Sequence, residues 1–441
     1  MNKAAPESAM RKVALTSLAG TSIEWYDFFI YGTAAALIFA STFFPSDMPP
    51  MVALIASFST FAVGFIARPV GGIFFGHFGD RVGRKRALIT ALMMMGIATT
   101  LIGCLPAYGT IGVAAPLLLT VLRFVQGLAV GGQWGGAMLL VTENAPPGKR
   151  GFYGAFAQAG APAGIILANC AFLLASGVMG DEAFASWGWR IPFLASVVLI
   201  ALSAYVQLHL EDTPAFKDLE ARKRTEPLSQ ASTRSPVLEA ISRHPREIVL
   251  GAGAFLSVQV TFYILVAFAI AYGSSPDGAG VSRDVMLTAV LISSVVQIPV
   301  LFLASAWSDR HGRRGVYMAG AVLTVFWAFT LFPMLDTGSF LWITVSICLG
   351  QVFLSMMYGP QAAFLTELFS TEVRYSGASL GYQLGAILGG ALAPTIATAL
   401  WGTWGSFYVA VYIAVAALLT LGSVLLLTET HGRSLSEAEQ V

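Results

Sequence analysis

Charge is what this sequence has least of. Its 24 acidic and 25 basic residues make up 11% of the chain, where a soluble protein carries about a quarter. So few charges exclude a soluble enzyme, a nucleic-acid-binding module and a disordered scaffold, because most of the chain cannot face water. The signs nearly cancel, with a net charge of +1 at pH 7, so bulk charge implies no acidic partner such as nucleic acid. Cysteine is scarce as well. Cys104, Cys170 and Cys348 lie far apart inside apolar stretches, which argues against a disulfide framework or a metal site. No P-loop, kinase loop or ATPase motif is present, and no residue pattern calls for a cofactor.

Apolar length is what the chain does have, with 56% hydrophobic residues and a mean hydropathy of +0.72. A membrane-spanning helix needs about 20 mostly apolar residues. By that measure the chain reads as an all-α membrane protein of twelve transmembrane helices. The first six spans fall at about 13–40, 51–76, 87–108, 115–142, 152–177 and 190–209. The last six fall at about 247–272, 285–306, 316–334, 340–365, 376–400 and 404–427. Segment 1–12 is too polar for the core of a signal peptide and is expected to stay in the mature protein.

If the even-numbered loops are cytoplasmic, every basic residue except Arg68, Arg123, Arg190 and Arg283 lies on the cytoplasmic side. That asymmetry satisfies the positive-inside rule and places both termini in the cytoplasm. The polar, basic segment 211–246 then joins an N-terminal bundle, residues 1–210, to a C-terminal bundle, residues 247–441. It reads as a solvated linker.

The halves repeat each other. Residues 76–86 read GHFGDRVGRKR and residues 305–314 read SAWSDRHGRR, each after the second span of its half. Glu143 precedes Arg150 as Glu367 precedes Arg374, after each fourth span. In the fifth spans, Gln158-Ala-Gly160 with Gly164 matches Gln383-Leu-Gly385 with Gly389. An ordered repeat at about 225 residues implies gene duplication and two pseudosymmetric six-helix bundles.

The duplicated D-R-x-G-R loops resemble the signature of the major facilitator superfamily, and Leu122-Arg123-Phe124-Val125-Gln126-Gly127 resembles its fourth-helix motif. Longer stretches are similar to the bacterial metabolite:proton symporter family. They are GTSIEWYDFFIYG (20–32), FAVGFIARPVGGIFFGHFGDRVGRKR (61–86), WGGAMLLVTENAPPGKRGFYG (134–154), WGWRIPF (187–193) and YGPQAAFLTELFSTEVRYSGASLGYQLG (358–385). The resemblance covers nearly all of residues 13–430. It implies the major facilitator fold and a carrier of the kind that moves shikimate, 2-oxoglutarate, citrate, proline, betaine or aromatic acids. One position departs from the family pattern. Gln133 stands where most relatives carry Glu in a G-G-E-W-G-G run, and an amide cannot titrate.

Charge inside the membrane is costly and marks functional candidates. Only Glu24, Asp27, Arg68 and Arg123 fall in mid-span, all in the N-terminal half, and no histidine does. At a helix rise of ~1.5 Å per residue, Arg68 lies nearer Glu24 in depth and Arg123 nearer Asp27. Two carboxylates and two guanidiniums can neutralise one another in an empty site. Asp27, or else Glu24, is therefore the expected proton carrier. Arg123 and Arg68 are the expected anchors for a substrate carboxylate, which a guanidinium grips with a two-pronged fork. Structural salt bridges are the alternative reading of the same cluster.

The C-terminal spans offer uncharged polar groups, Gln259, Tyr263, Gln297, Gln351, Tyr358, Gln361, Tyr382 and Gln383, suited to hydroxyls and carbonyls. The expected substrate-binding set is completed by Gln133, Tyr26, Tyr31 and Trp134 near the acids. Helix packing is the alternative role for each glutamine and aromatic. By the same resemblance, Asp80, Arg81, Arg84, Glu143 and Arg150, with Asp309, Arg310, Arg313, Glu367 and Arg374, form cytoplasmic latches.

These readings converge on a secondary active transporter in a bacterial inner membrane, multi-pass and functional as a monomer, with no enzymatic activity. It is expected to bring a small organic acid such as shikimate in with protons, by alternating access. A proline- or betaine-type carrier and an uncoupled facilitator or exchanger are the alternatives.

Overall fold

Within lipid the backbone has no water to bond, so long apolar segments satisfy their amides internally as helices. The computed structural model describes residues 7–82, 84–131, 141, 145–146, 148–198, 201, 241–369 and 374–430. Gln133, Trp134, Glu143 and residues 211–240 of the linker lie outside these. So do the side chains of Asp80, Arg81, Arg84 and Arg374.

In the N-terminal half the helices are α1 (Glu7–Leu37), α2 (Pro50–Val82), α3 (Arg84–Cys104) and α4 (Ala114–Gly131). The fifth span is α5 (Arg150–Gln158) followed by α6 (Gly160–Met179). The expected sixth span is helical from Ile191 as far as residue 198, where the continuous description ends. In the C-terminal half come α7 (Pro245–Tyr263), α8 (Arg283–His311), α9 (Arg313–Leu335) and α10 (Phe340–Glu367). Then follow α11 (Arg374–Gly385), α12 (Ala393–Trp404) and α13 (Ser406–Leu426). Among the described residues nine helices are long and apolar enough to cross a bilayer, and Ile89–Cys104 is a shorter apolar one. The 31-residue α1, with Glu24 and Asp27 in it, is long enough for a further crossing of the twelve-helix fold.

Small residues set the helix spacing. A side chain at Gly127 would run into the Gly64 carbonyl, and one at Gly131 into that of Arg68. The α2 and α4 backbones therefore touch, as small-residue stripes allow in membranes. Both fifth spans break at the repeated Gln-x-Gly. The N-terminal one breaks between Gln158 and Gly160, and α11 passes into a π-turn at Ala386–Ala391. A second π-turn, Ile264–Phe268, follows α7. Such turns relieve the regular ladder and often sit at functional sites.

The halves meet along α1, α2, α5 and α6 on one side and, on the other, α8, α10, α12 and the π-turns that follow α7 and α11. Nearly all of the apolar window in Pro245–Ser274 is inside the molecule, while the other spans bury about half of theirs. Outward faces carry Ile73, Val178, Leu303 and Phe326, exposed as lipid-facing side chains must be.

Candidate functional site

Arg68 and Arg123 meet at Phe28. The Arg68 guanidinium lies 4.5 Å from the Phe28 ring centroid, 4.4 Å from Phe65 and 5.8 Å from Trp25. Arg123 lies 4.3 Å from Phe28, 4.2 Å from Tyr31 and 4.7 Å from Phe61. Both side chains are almost wholly buried. A desolvated cation over an aromatic face is stabilised by about 2 kcal/mol, so the ring bed does what water would do outside.

The two guanidiniums are otherwise used differently. Arg123 is anchored inside its own half. Nη1 donates to Gln126 Oε1 at 3.1 Å, Nε reaches the Phe61 carbonyl at 3.5 Å, and Gln126 passes the chain on to Thr99 at 2.7 Å. Arg68 has no such net: its Nε and Nη2 are buried without a hydrogen-bond partner. It stands within reach of the Tyr263 and Tyr382 hydroxyls of the other half.

The acids separate by helix face. Glu24 faces Arg68, without forming an ion pair. Asp27 is 1% exposed, and neither carboxylate oxygen has a hydrogen-bond partner. Its polar neighbour is Ser196 in the sixth span. Among the described residues no ion pair joins Glu24 or Asp27 to either arginine. The expected mutual neutralisation is replaced by aromatic beds under the cations and by an enclosed Asp27.

A small cavity opens between the halves where these groups meet. Trp25 lines it from α1, and Phe255, Gln259, Tyr263, Tyr358 and Tyr382 line it from the C-terminal half. Gln259, Tyr263 and Tyr358, three of the residues expected to bind substrate, are thus among its lining. Tyr26 and Tyr31 do not line it. Tyr26 donates to the Pro192 carbonyl at 2.8 Å and Tyr31 to Thr60 at 2.7 Å, so their hydroxyls tie helices together. Gln383 is buried with Oε1 unpartnered and is not among the lining residues. Trp25, Phe28, Phe65 and Ser196 were not singled out from the sequence. The aromatic run EWYDFF was the available signal for the first two, and nothing local marked Ser196.

At the end carrying the D-R-x-G-R loops the halves are tied together. Asp309 accepts the backbone amides of Gly151 at 2.9 Å and Phe152 at 2.8 Å, closing the N-terminal turn of α5. A carboxylate there complements the helix dipole. Arg313 donates to Asp309 at 2.6 Å and to both oxygens of Glu367 at 3.3 and 3.4 Å, and Arg150 lies 3.9 Å from Glu367. Glu429 and Thr430 add further bonds to this cluster. Arg310 is exposed and takes no part in these contacts. The opposite end is bridged too: Arg283 donates to Asp181 at 2.6 Å and Ser176 to Asp284 at 3.3 Å.

The sequence matches the description Major Facilitator Superfamily over residues 17–372 and 248–441. It is 42% identical over 436 residues to an inner membrane metabolite transport protein of Escherichia coli K12, YhjE, covering 98% of this chain and 97% of that one. It is 42% identical over 433 residues to the shikimate transporter of the same strain, covering 96% of each. With a proline/betaine transporter of Salmonella typhimurium it shares 33% identity, over 98% of this chain and 86% of the relative. Among solved structures it resembles a partially occluded, inward-open form of the xylose transporter XylE from E. coli. The TM-score is 0.75 at 18% identity, covering 97% of this chain and all of that one.

Proposed function

The chain belongs to the major facilitator superfamily, as a multi-pass membrane transporter and not an enzyme, and we propose that it imports a small organic acid together with protons. Its termini face the cytoplasm, as the placement of basic residues requires, and one chain holds a complete site. The observation that carries this reading is Arg68, a buried guanidinium with two unpartnered nitrogens beside a cavity between the two bundles. A cation so placed attracts a carboxylate, and the fork suits it in shape. Asp27, enclosed and without a bonded partner, is suited to hold an exchangeable proton, with Glu24 beside Arg68 as the second acid. Gln133 cannot titrate, so the proton falls to this pair.

Substrate and proton then move by rocking of one bundle against the other about the midplane site. The 42% identity to a shikimate transporter supports an organic acid as cargo. A second reading has its own observation: the aromatic walls of the cavity, Trp25, Tyr263, Tyr358 and Tyr382 among them, would suit a quaternary ammonium such as betaine. Two arginines already lie over the neighbouring rings, which disfavours a further cation there.

Uptake by proteoliposomes separates the two readings. Wild-type protein is expected to accumulate shikimate over glycine betaine under an inward proton gradient. Preference for glycine betaine would overturn the organic-acid reading.

A further inference from the structure

Among the uncharged polar groups of the C-terminal half, two amides have no place in the cavity lining or the proposed coupling. Gln297 on α8 and Gln351 on α10 are both completely buried, and all four of their amide nitrogen and oxygen atoms are without a hydrogen-bond partner. Buried polar groups in proteins are nearly always bonded. Four orphaned atoms on two glutamines therefore call for an occupant.

The helix register sets the two on facing stripes. A side chain built at Gly359 of α10 would meet the Leu301 carbonyl and Ser305 of α8, so these residues face each other. Two turns back from Gly359, past Ser355, is Gln351. Two turns back from Ser305, past Leu301, is Gln297. Residues four apart share a helix face, so both amides lie on the stripes along which α8 and α10 pack. Leu354 and Tyr358 line the cavity, and Gln351 is three and seven residues before them. It therefore stands where the α8-facing stripe meets the cavity-lining face.

The internal repeat adds a chemical contrast. Gln297 lies twelve residues before Asp309, as Arg68 lies twelve before Asp80. One half thus presents a guanidinium where the other presents an amide.

We propose that Gln297 and Gln351 form a second subsite, which takes the ring hydroxyls of a hydroxylated carboxylic acid whose carboxylate is held by Arg68. Each amide brings a carbonyl acceptor and an N–H donor, which matches a hydroxyl. The first charges along these stripes, Asp309 and Glu367, lie three and four turns further on and are bonded to Arg313, so a neutral group is the fitting occupant beside the amides. The proposal rests on the organic-acid reading above and narrows it to acids with hydroxyls away from the carboxylate. The substrate would lie across the two bundles, charge toward the N-terminal half and hydroxyls toward the C-terminal half.

The test compares shikimate with cyclohex-1-enecarboxylate, which keeps the ring and carboxylate and lacks the hydroxyls. Uptake into proteoliposomes is measured for wild type, Gln297→Leu and Gln351→Leu, with Arg68→Lys as a control for the carboxylate end. A site built to bond a hydroxyl discriminates strongly against a ligand without one. Wild type is expected to prefer shikimate. Either glutamine variant should raise the KM for shikimate at least tenfold and leave that for the deoxy acid within about twofold. Arg68→Lys should weaken both. One glutamine variant suffices if the other fails to reconstitute, and a melting temperature no lower than wild type certifies the fold. Equal losses for both acids, or an unchanged shikimate KM, would mean that the amides only pack helices and would overturn the subsite. Transport of neither acid by wild type would remove the organic-acid reading itself, and this proposal with it.

Discussion

Arg68 and Arg123 carry the same charge and share the Phe28 ring, yet only Arg68 keeps two nitrogens unbonded beside the cavity. Their conservative replacements should therefore differ in kind. Arg68→Lys keeps the charge and loses the fork, and is expected to raise the uptake KM tenfold or more with normal yield of folded protein. Arg123→Lys breaks the bonds to Gln126 and the Phe61 carbonyl. It should lower thermal stability by roughly 1–3 kcal/mol, the cost of leaving a buried hydrogen-bonding group unsatisfied, while KM stays within about twofold. An intact KM in Arg68→Lys would refute that division. The same residues show how much could be read before the structure. Their scarcity in mid-span and their depth follow from sequence position and helix rise. Their partners depend on azimuth, which no single helix reveals. Asp27 matches Arg123 in estimated depth but turns toward Ser196 of the sixth span, so the expected pairing does not form.

At the level of single helices, the α2–α4 contact and the α5–α8 tie do different work. Gly127 lets α4 lie directly on the Gly64 carbonyl. Gly127→Val has no free volume to occupy, and overpacking of this kind costs about 1–3 kcal/mol. A fall in melting temperature of purified protein is expected, and an unchanged one would contradict the contact. The Asp309 tie is expected to act on a conformational equilibrium instead. It combines two amide bonds with a buried bridge to Arg313, whose side chain is 3% exposed. Breaking a buried pair costs several kcal/mol, so Asp309→Asn should favour opening of this end. Ala362, packed against Ala157 of the other half, can report that opening. With the native cysteines replaced, Ala362→Cys should react with maleimide faster in the Asp309→Asn background, and equal rates would argue against a latch. The repeated loops made this element legible in advance, including Asp309, Arg313 and Glu367. Its reach to the backbone of Gly151 was not, because capping contacts between distant helix ends leave no local pattern.

Across the whole molecule, contacts tie the bundles at both ends, Asp309 with the Gly151 and Phe152 amides and Glu367 with Arg150 at one, and Asp181 with Arg283 at the other. Between them lies a small cavity lined by Trp25 and by amide and phenol groups of the C-terminal half, with Arg68 behind Tyr263 and Tyr382. A carrier in this arrangement must release one end before a substrate can enter or leave. Coupling then requires that substrate and proton be taken up on the same passage, and the proposed proton carriers are the carboxylates Asp27 and Glu24. The most direct test is uptake of labelled shikimate into proteoliposomes, with an imposed pH gradient, acid outside, and by counterflow without one. Wild type should accumulate it more strongly as the outside is made more acidic. Asp27→Asn should lose accumulation while keeping counterflow, since exchange needs no net proton movement. Gradient-driven accumulation that persists in both Asp27→Asn and Glu24→Gln would contradict the account and leave coupling without a carrier in these residues.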